Sequence, residues 1–249
     1  MNTSSPLAAY WTASLVEVNL LVFANLVGAL LLGLLVGYER SYHGRAAGMR
    51  TYGIVCMASA ALTVFAGYPG FWWGGVEGLA HAPVDPTRVV QGIVTGVGFL
   101  GAGVIMKEGM NISGLTTAAS IWASSAIGVL VGVGFYAAAI LLSLLSASLM
   151  MWGSRLEMRL PSRRALGVNL GFAAGVEPDE GPMREQMRTW GYAVAEGSLH
   201  ISRNEHRVHW QFVMVALRSK PEPSSLFELS RRLRLLDGVD NLQITHARN

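Results

Sequence analysis

Five long apolar stretches follow one another in the first part of the chain, and charged residues gather between them. We predict membrane-spanning helices over residues 15–37, 51–69, 88–106, 114–133 and 135–152. A helix needs about 20 apolar residues to cross the hydrocarbon core of a bilayer, and each stretch is close to that length. Lipid offers no hydrogen-bond partners, so each span must satisfy its own backbone groups as an α-helix.

From Arg155 onward, the pattern is that of a water-soluble domain. The apolar spacing predicts, in order, strand 166–175, helix 179–191, strands 192–203 and 206–218, helix 223–236 and strand 239–246. This β-α-β-β-α-β order is that of a small α+β, ferredoxin-like unit. We therefore predict an α-helical membrane domain over residues 1–154 and a small α+β domain over residues 155–249.

Composition and charge agree with a membrane protein and predict its orientation. Charged residues make up 14% of the chain, whereas soluble domains carry about 25%. Only Arg88 is basic on one side of the spans, and eight basic residues lie on the other: Arg40, Arg45, Arg50, Lys107, Arg155, Arg159, Arg163 and Arg164. Because basic loops stay in the cytoplasm, we expect the N-terminus outside and the α+β domain in the cytoplasm. This asymmetry also accounts for the pI of 9.2, so we expect no nucleic-acid partner.

The start of the chain is expected to remain attached. No Lys or Arg precedes Val16, whereas a cleaved signal peptide begins with a basic region. We therefore interpret the first span as a permanent membrane helix.

Charged residues beside spans one to three form the first candidate site. Glu39 and Arg40 follow span one, Arg50 comes just before span two, and Lys107 follows span three. Because these ends share one membrane face, we expect the four side chains to lie together at the cytoplasmic end of the bundle. They form either an ion-pair network or ordinary basic loops that only set the topology.

On the opposite face, Asp85-Pro86-Thr87-Arg88 is typical of a helix start. Asp85 is expected to accept hydrogen bonds from the first backbone N–H groups, and Pro86 suits the first turn. We include Asp85 and Arg88 among the charged candidates, with capping favoured over metal binding for Asp85. His43 and His81 are isolated in sequence, so no histidine metal site is predicted.

Glycines spaced four residues apart are expected to set the helix packing. The pairs are Gly33/Gly37, Gly92/Gly96 and Gly128/Gly132, and such pairs let membrane helices approach closely. In span three, Gly98, Gly101 and Gly103 add to this pattern, so we expect a close crossing or a locally unwound segment there. The glycine spacing also fits a dinucleotide-binding pattern, which we reject because no strand precedes it.

Hydroxyl groups at the start of span four are a second candidate site. Thr116, Thr117 and Ser120 enter the span, and Trp122 follows them. These hydroxyls either bond within and between helices or line a polar cavity. Elsewhere, the single cysteine, Cys56, excludes an intramolecular disulfide. No catalytic triad, Cys-His pair, zinc spacing or phosphate loop occurs in the α+β domain, so no cofactor is predicted.

Several of these motifs, in order and together, resemble the MgtC/SapB family of membrane proteins. They are Gly37-Tyr-Glu-Arg, Ala47-Gly-Met-Arg-Thr, Asp85-Pro-Thr-Arg, Gly98-Phe-Leu-Gly-Ala-Gly-Val-Ile and Gly114-Leu-Thr-Thr-Ala-Ala-Ser-Ile-Trp. The resemblance covers about residues 20–150, and the trailing domain resembles the ACT-like domain of many members. It implies a bacterial inner-membrane protein tied to growth at low magnesium and survival inside host cells, and a regulator that restrains the F-type ATP synthase.

Three classes of function follow from the sequence. The first is a non-enzymatic regulator that binds a larger membrane protein, with self-association as a further expectation. The second is a transporter or channel for Mg²⁺ or another small solute. The third is an enzyme, which we set aside because no nucleophile and base occur together. A Mg²⁺ path needs several carboxylates, whereas the spans contain only Glu17, and this shortage favours the regulator.

Overall fold

A computed structural model describes residues 11–45, 47–75, 85–108, 111–159, 165–204, 207–217 and 226–246. The chain divides into two compact units. The first comprises residues 1–106 and 114–154, and the second comprises residues 107–113 and 155–249.

In the described part of the first unit, five helices are long and apolar enough to cross a membrane, which confirms that prediction. They are α1 (Ala13–Tyr42), α2 (Met49–Gly67), α3 (Pro86–Val104), α4 (Leu115–Gly132) and α5 (Tyr136–Arg159), with a short 3₁₀ helix at Pro69–Gly75 after α2. Two helix ends differ most from the prediction. Helix α5 continues through Arg159 instead of ending at residue 152. Helix α1 continues through Tyr42 instead of ending at residue 37, so Glu39 and Arg40 are helical residues rather than parts of a loop.

Helix α2 packs between α1 and α4 through glycines. A Cβ atom on Gly33 would lie 2.7 Å from the carbonyl oxygen of Tyr52, and one on Gly37 would lie 2.7 Å from the Cα of Met49. On the other side, a Cβ on Gly128 would overlap the carbonyl oxygen of Cys56. The prediction of close packing is therefore confirmed for the glycine pairs of α1 and α4, because side chains there would push α2 away.

The glycines of α3 do not behave as predicted. A Cβ atom on Gly92, Gly96, Gly98 or Gly103 would meet nothing within 4 Å. Gly101 is buried, but a Cβ there would lie at an ordinary 3.7 Å from Ala118. Moreover, α3 is continuous from Pro86 to Val104. Among the described residues, no other helix crosses closely at Gly98 or Gly103, and α3 does not unwind there. Those glycines lie on exposed helix surface instead.

A β-hairpin joins α3 to α4. Its strands are β1 (Met106–Glu108) and β2 (Asn111–Ser113). Gly114 follows with a φ of 88°, and a Cβ there would overlap the carbonyl oxygen of Val104. Only glycine fits this left-handed, crowded position, which sets the start of α4.

The second unit is a small α+β structure, as predicted. Its elements are β3 (Ala165–Phe172), α6 (Glu180–Thr189), β4 (Tyr192–Val194), β5 (His200–Asn204), β6 (Arg207–Ala216), α7 (Leu226–Arg234) and β7 (Val239–His246). Strand β3 pairs with β6 and β7, and β6 also pairs with both β4 and β5, always antiparallel. The strand predicted over 192–203 is therefore two short strands along one neighbour. The turn between them includes Gly197 with a φ of 72°.

One face of this sheet carries the core. Alternate residues of β6, from Val208 to Ala216, are buried, as period-two patterning requires. Met183 and Met187 of α6, and Leu229 and Leu233 of α7, belong to the same buried cluster. The two helices thus cover one face of the sheet.

Candidate functional site

A buried ion pair lies near the end of α1. The Nε atom of Arg40 is 2.6 Å from Oε2 of Glu39, and both side chains are less than 10% exposed, at 8% and 9%. Residues adjacent in sequence do not normally face each other on a helix, so both side chains bend toward one buried position. The contact is ionic without hydrogen-bond geometry: among the described residues, neither of these two atoms has a hydrogen-bond partner.

His43 extends this pair toward the surface. Its Nδ1 atom lies 3.0 Å from Oε1 of Glu39 and also 3.0 Å from the Glu39 backbone oxygen. The His43 side chain is 52% exposed. The carboxylate of Glu39 is therefore shared by a buried guanidinium and a half-exposed imidazole. Sequence reasoning treated His43 as isolated. The spacing of four residues was the signal, and it became informative only once α1 was seen to continue past residue 37.

Tyr52 lies where α1, α2 and α4 meet. This side chain on α2 is fully buried, and a Cβ atom on Gly37 of α1 would lie 3.0 Å from the Tyr52 Cβ. Its hydroxyl bonds to that of Ser120 on α4. Ser120 in turn donates to the carbonyl oxygens of Thr116 and Thr117, at 2.8 and 2.9 Å. A hydroxyl has one proton to donate, so Tyr52 is the donor to Ser120. Helix α2 is thereby joined to the start of α4.

Further hydroxyl groups tie the helices together. Ser124 donates to the backbone oxygen of Tyr52 at 2.9 Å, and Ser59 and Ser125 lie 2.8 Å apart across α2 and α4. On α5, the Tyr136 hydroxyl donates to Asn25 of α1 at 2.8 Å. For Ser120, the geometry fits hydrogen bonding within and between helices, which is one of the two interpretations of the hydroxyls entering span four. Sequence reasoning did not single out Tyr52 or Asn25.

The predicted site residues divide into buried and exposed sets. Glu39, Arg40, Gly101 and Thr117 are buried, whereas Arg50, Lys107, Gly98, Gly103, Thr116 and Trp122 are exposed. Of the four residues of the expected charge cluster, the structure joins Glu39 and Arg40 in an ion pair, and Lys107 belongs to the second unit. Arg50 lies on the surface of the first turn of α2, where water or lipid headgroups can solvate its charge.

Asp85 is the predicted helix cap. It accepts a hydrogen bond from the backbone N–H of Thr87 at 3.0 Å, and Pro86 occupies the first turn of α3. The hydroxyl and backbone N–H of Thr87 both lower the pKa of the Asp85 carboxyl. Arg88 lies 3.8 Å from Asp85, but both side chains are more than half exposed. This pair is a weak surface contact, so capping is the role that the geometry supports.

The site can pair charges and fix helix positions. Within the described residues, no group of three or more His, Cys, Asp or Glu side chains lies close enough to hold a metal ion. Glu39 is the only buried carboxylate in that part of the chain, and Arg40 already neutralises it.

Comparisons with known proteins cover this helical unit. The sequence model of the MgtC family matches residues 26–159. A protein named Protein MgtC from Brucella abortus (strain 2308) is 47% identical over 111 residues, which cover 45% of this chain and 42% of that protein. Protein MgtC from Salmonella typhimurium (strain LT2) is 44% identical over 110 residues, covering 44% of this chain and 42% of that protein. The matched part thus spans less than half the length of these relatives. No solved structure matches the chain.

Proposed function

Because this chain belongs to the MgtC family, we propose that it is an inner-membrane regulator that binds a larger membrane complex and catalyses no reaction. Its proposed role is linked to magnesium, in growth of the bacterium at low magnesium and in survival inside host cells. The proposed partner is the F-type ATP synthase, which is restrained by contact with the helical unit. Self-association is a second proposed contact.

The neutralised carboxylate of Glu39 is the observation that favours a regulator over a transporter. A hydrated Mg²⁺ ion is bound through carboxylates and retained waters. In the described part of the chain, the buried carboxylate is paired at 2.6 Å with Arg40, which repels a cation. The surrounding hydroxyls of Tyr52, Ser120 and Ser124 bond to each other or to backbone oxygens. This arrangement supports a rigid junction of three helices better than an ion path.

The exposed face of α3 supports a contact with another membrane protein. Gly92, Gly96 and Gly103 recur on one side of this helix with Phe99, which is 81% exposed. Exposed faces of α1 and α5 instead carry large side chains such as Leu31 and Leu149, which suit lipid. Small residues allow a second helix to approach closely in a membrane, so we assign partner contact to α3.

The partner is tested by purifying the full chain from its native membranes in mild detergent and identifying the subunits that accompany it. We expect ATP synthase subunits with the wild-type protein and a strong loss of them with Gly96→Leu, which would block helix approach. Ala138→Leu is the matched control, because Ala138 is exposed on α5 and should tolerate a larger side chain facing lipid.

Different results would remove different parts of this proposal. Recovery of another membrane complex, lost with Gly96→Leu, would contradict the ATP synthase as partner. Equal recovery with both variants would contradict the assignment of α3. Absence of any accompanying subunit, even after cross-linking in the membrane, would contradict the regulator.

The proposed orientation has the N-terminus outside and residues 155–249 in the cytoplasm. It is supported by three basic residues where α1 ends and α2 begins, Arg40, Arg45 and Arg50, and by those at the end of α5. Reporter fusions at residues 75 and 249 should report opposite compartments, with residue 249 in the cytoplasm. Activity of both fusions on one side of the membrane would contradict the five-span topology.

A further inference from the structure

Helix α7 of the α+β unit exposes a second apolar face. Its inner face contributes Leu229 and Leu233 to the core, where they are 1% and 0% exposed. On the outer side, Phe227 is 82% exposed and Leu235, directly after the helix, is 78% exposed. Large apolar side chains such as Phe227 and Leu235 are normally buried in the core. Two of them exposed close together on a short surface helix therefore suggest a binding surface.

Arginines lie beside these two apolar side chains. Arg231 follows Phe227 by four residues and Arg234 follows it by seven, so all three share one side of the helix. Both arginines are exposed. Glu228 of the same helix is paired with Arg232 at 3.0 Å. The surface formed by Phe227, Arg231, Arg234 and Leu235 thus combines two positive charges with two apolar side chains. We call it the α7 surface.

We propose that the α7 surface binds the anionic lipid headgroups of the membrane in which the chain is anchored. A short amphipathic helix with aromatic and aliphatic side chains flanked by arginines is suited to the boundary between headgroups and acyl chains. Phe227 and Leu235 insert at that boundary, and Arg231 and Arg234 pair with lipid phosphates. This inference is independent of the regulatory role proposed above.

Tethering makes the bilayer a favourable partner for this surface. The five membrane helices and the α+β unit are parts of one chain, so lipid is present at a high effective concentration. Binding through few side chains is then sufficient, whereas a separate protein partner would need a larger interface. The positive charge of the surface also complements anionic lipid and opposes contact between two copies of itself.

The test uses the full chain in lipid nanodiscs that hold one chain each. A nitroxide is placed at position 230 through Ser230→Cys, because Ser230 is half-buried beside the α7 surface. Label at Ser202→Cys on β5, an exposed strand, is the control position. Cys56 is buried. Wild-type protein treated with the same nitroxide reagent shows how much signal comes from labelling of Cys56. Accessibility to oxygen and to a water-soluble nickel complex is then compared.

In discs rich in phosphatidylglycerol, we expect the label at position 230 to be shielded from nickel and accessible to oxygen, unlike the label at position 202. Phosphatidylcholine discs or high salt should abolish this difference. Replacing Arg231 and Arg234 together with glutamine should weaken docking about 30-fold, since each basic residue near an anionic surface contributes about fivefold. Phe227→Ser should also release the surface.

The matched control is Arg188→Gln combined with Arg203→Gln, which removes the same charge elsewhere on the unit and should leave docking unchanged. Equal nickel access at positions 230 and 202 in phosphatidylglycerol discs would overturn the proposal. Shielding that requires two chains in one disc would overturn it in favour of self-association through this surface.

Discussion

Replacing Gly128 with alanine should lower the free energy of unfolding of the helical unit by about 3 kcal/mol, the scale of overpacking in a tight core. A Cβ atom at this position would overlap the backbone oxygen of Cys56. Backbone cannot rotate away as a side chain does, so α2 and α4 must separate. Separation also strains the bond between Ser59 and Ser125 and that between Ser124 and Tyr52.

Cys56 supplies the measurement for this variant. It is the single cysteine of the chain and is fully buried at the contact with Gly128. If modification of its thiol requires opening of the helices, a loss of about 3 kcal/mol should accelerate labelling roughly 100-fold. Gly92→Ala is the control, since a Cβ there meets open space, and its labelling rate should match the wild type. Equal rates for both variants would show that the glycines of α4 do not hold α2 in place.

Arg40→Gln should be about as damaging, for an electrostatic reason. It leaves the buried carboxylate of Glu39 without its guanidinium partner, and breaking a buried pair in this way typically costs about 3–5 kcal/mol. The combined change Glu39→Gln with Arg40→Gln removes both charges and should restore much of the stability. The stabilities of the wild type, the single variant and the double variant are compared by unfolding in detergent, followed by the same Cys56 labelling.

Arg40→Lys distinguishes a functional pair from one that only sets topology. Lysine keeps the charge, but its compact ammonium on a flexible stem differs in shape from the planar guanidinium that lies against Glu39, so we expect impaired growth at low magnesium in a complementation assay. Arg50→Lys is the control, because Arg50 is exposed and should tolerate the change. If Arg40→Lys supports wild-type growth, the pair acts only through its charge.

The sequence predicted the membrane helices and the α+β unit well because both depend on hydrophobic periodicity. The apolar stretches were long enough to be unambiguous, and the alternation around Trp210 and Phe212 allowed one strand register. The cap at Asp85 was predicted for a similar local reason, since Asp-Pro at a helix start has one common geometry.

The site was predicted less well because it depends on which helix faces meet. The glycine pairs of α1, α3 and α4 are equivalent in sequence, yet only those of α1 and α4 contact α2. Likewise, the hydrogen bond of Tyr52 is to Ser120, 68 residues away, and local sequence patterns do not reveal such a distant partner. An apolar stretch in the sequence ends at the first charged residue, whether or not the helix continues. Sequence analysis therefore ended the first span before Glu39 and Arg40 and missed their burial in α1.

We propose that the helical unit regulates by contact and does not conduct Mg²⁺. The most direct test of this proposal is Mg²⁺ uptake by liposomes that contain the purified full chain, followed with an indicator dye inside the vesicles. We predict uptake equal to that of empty liposomes, unchanged by Glu39→Ala, because Arg40 already neutralises the buried carboxylate. A saturable Mg²⁺ flux that Glu39→Ala abolishes would contradict the regulator and establish a transporter.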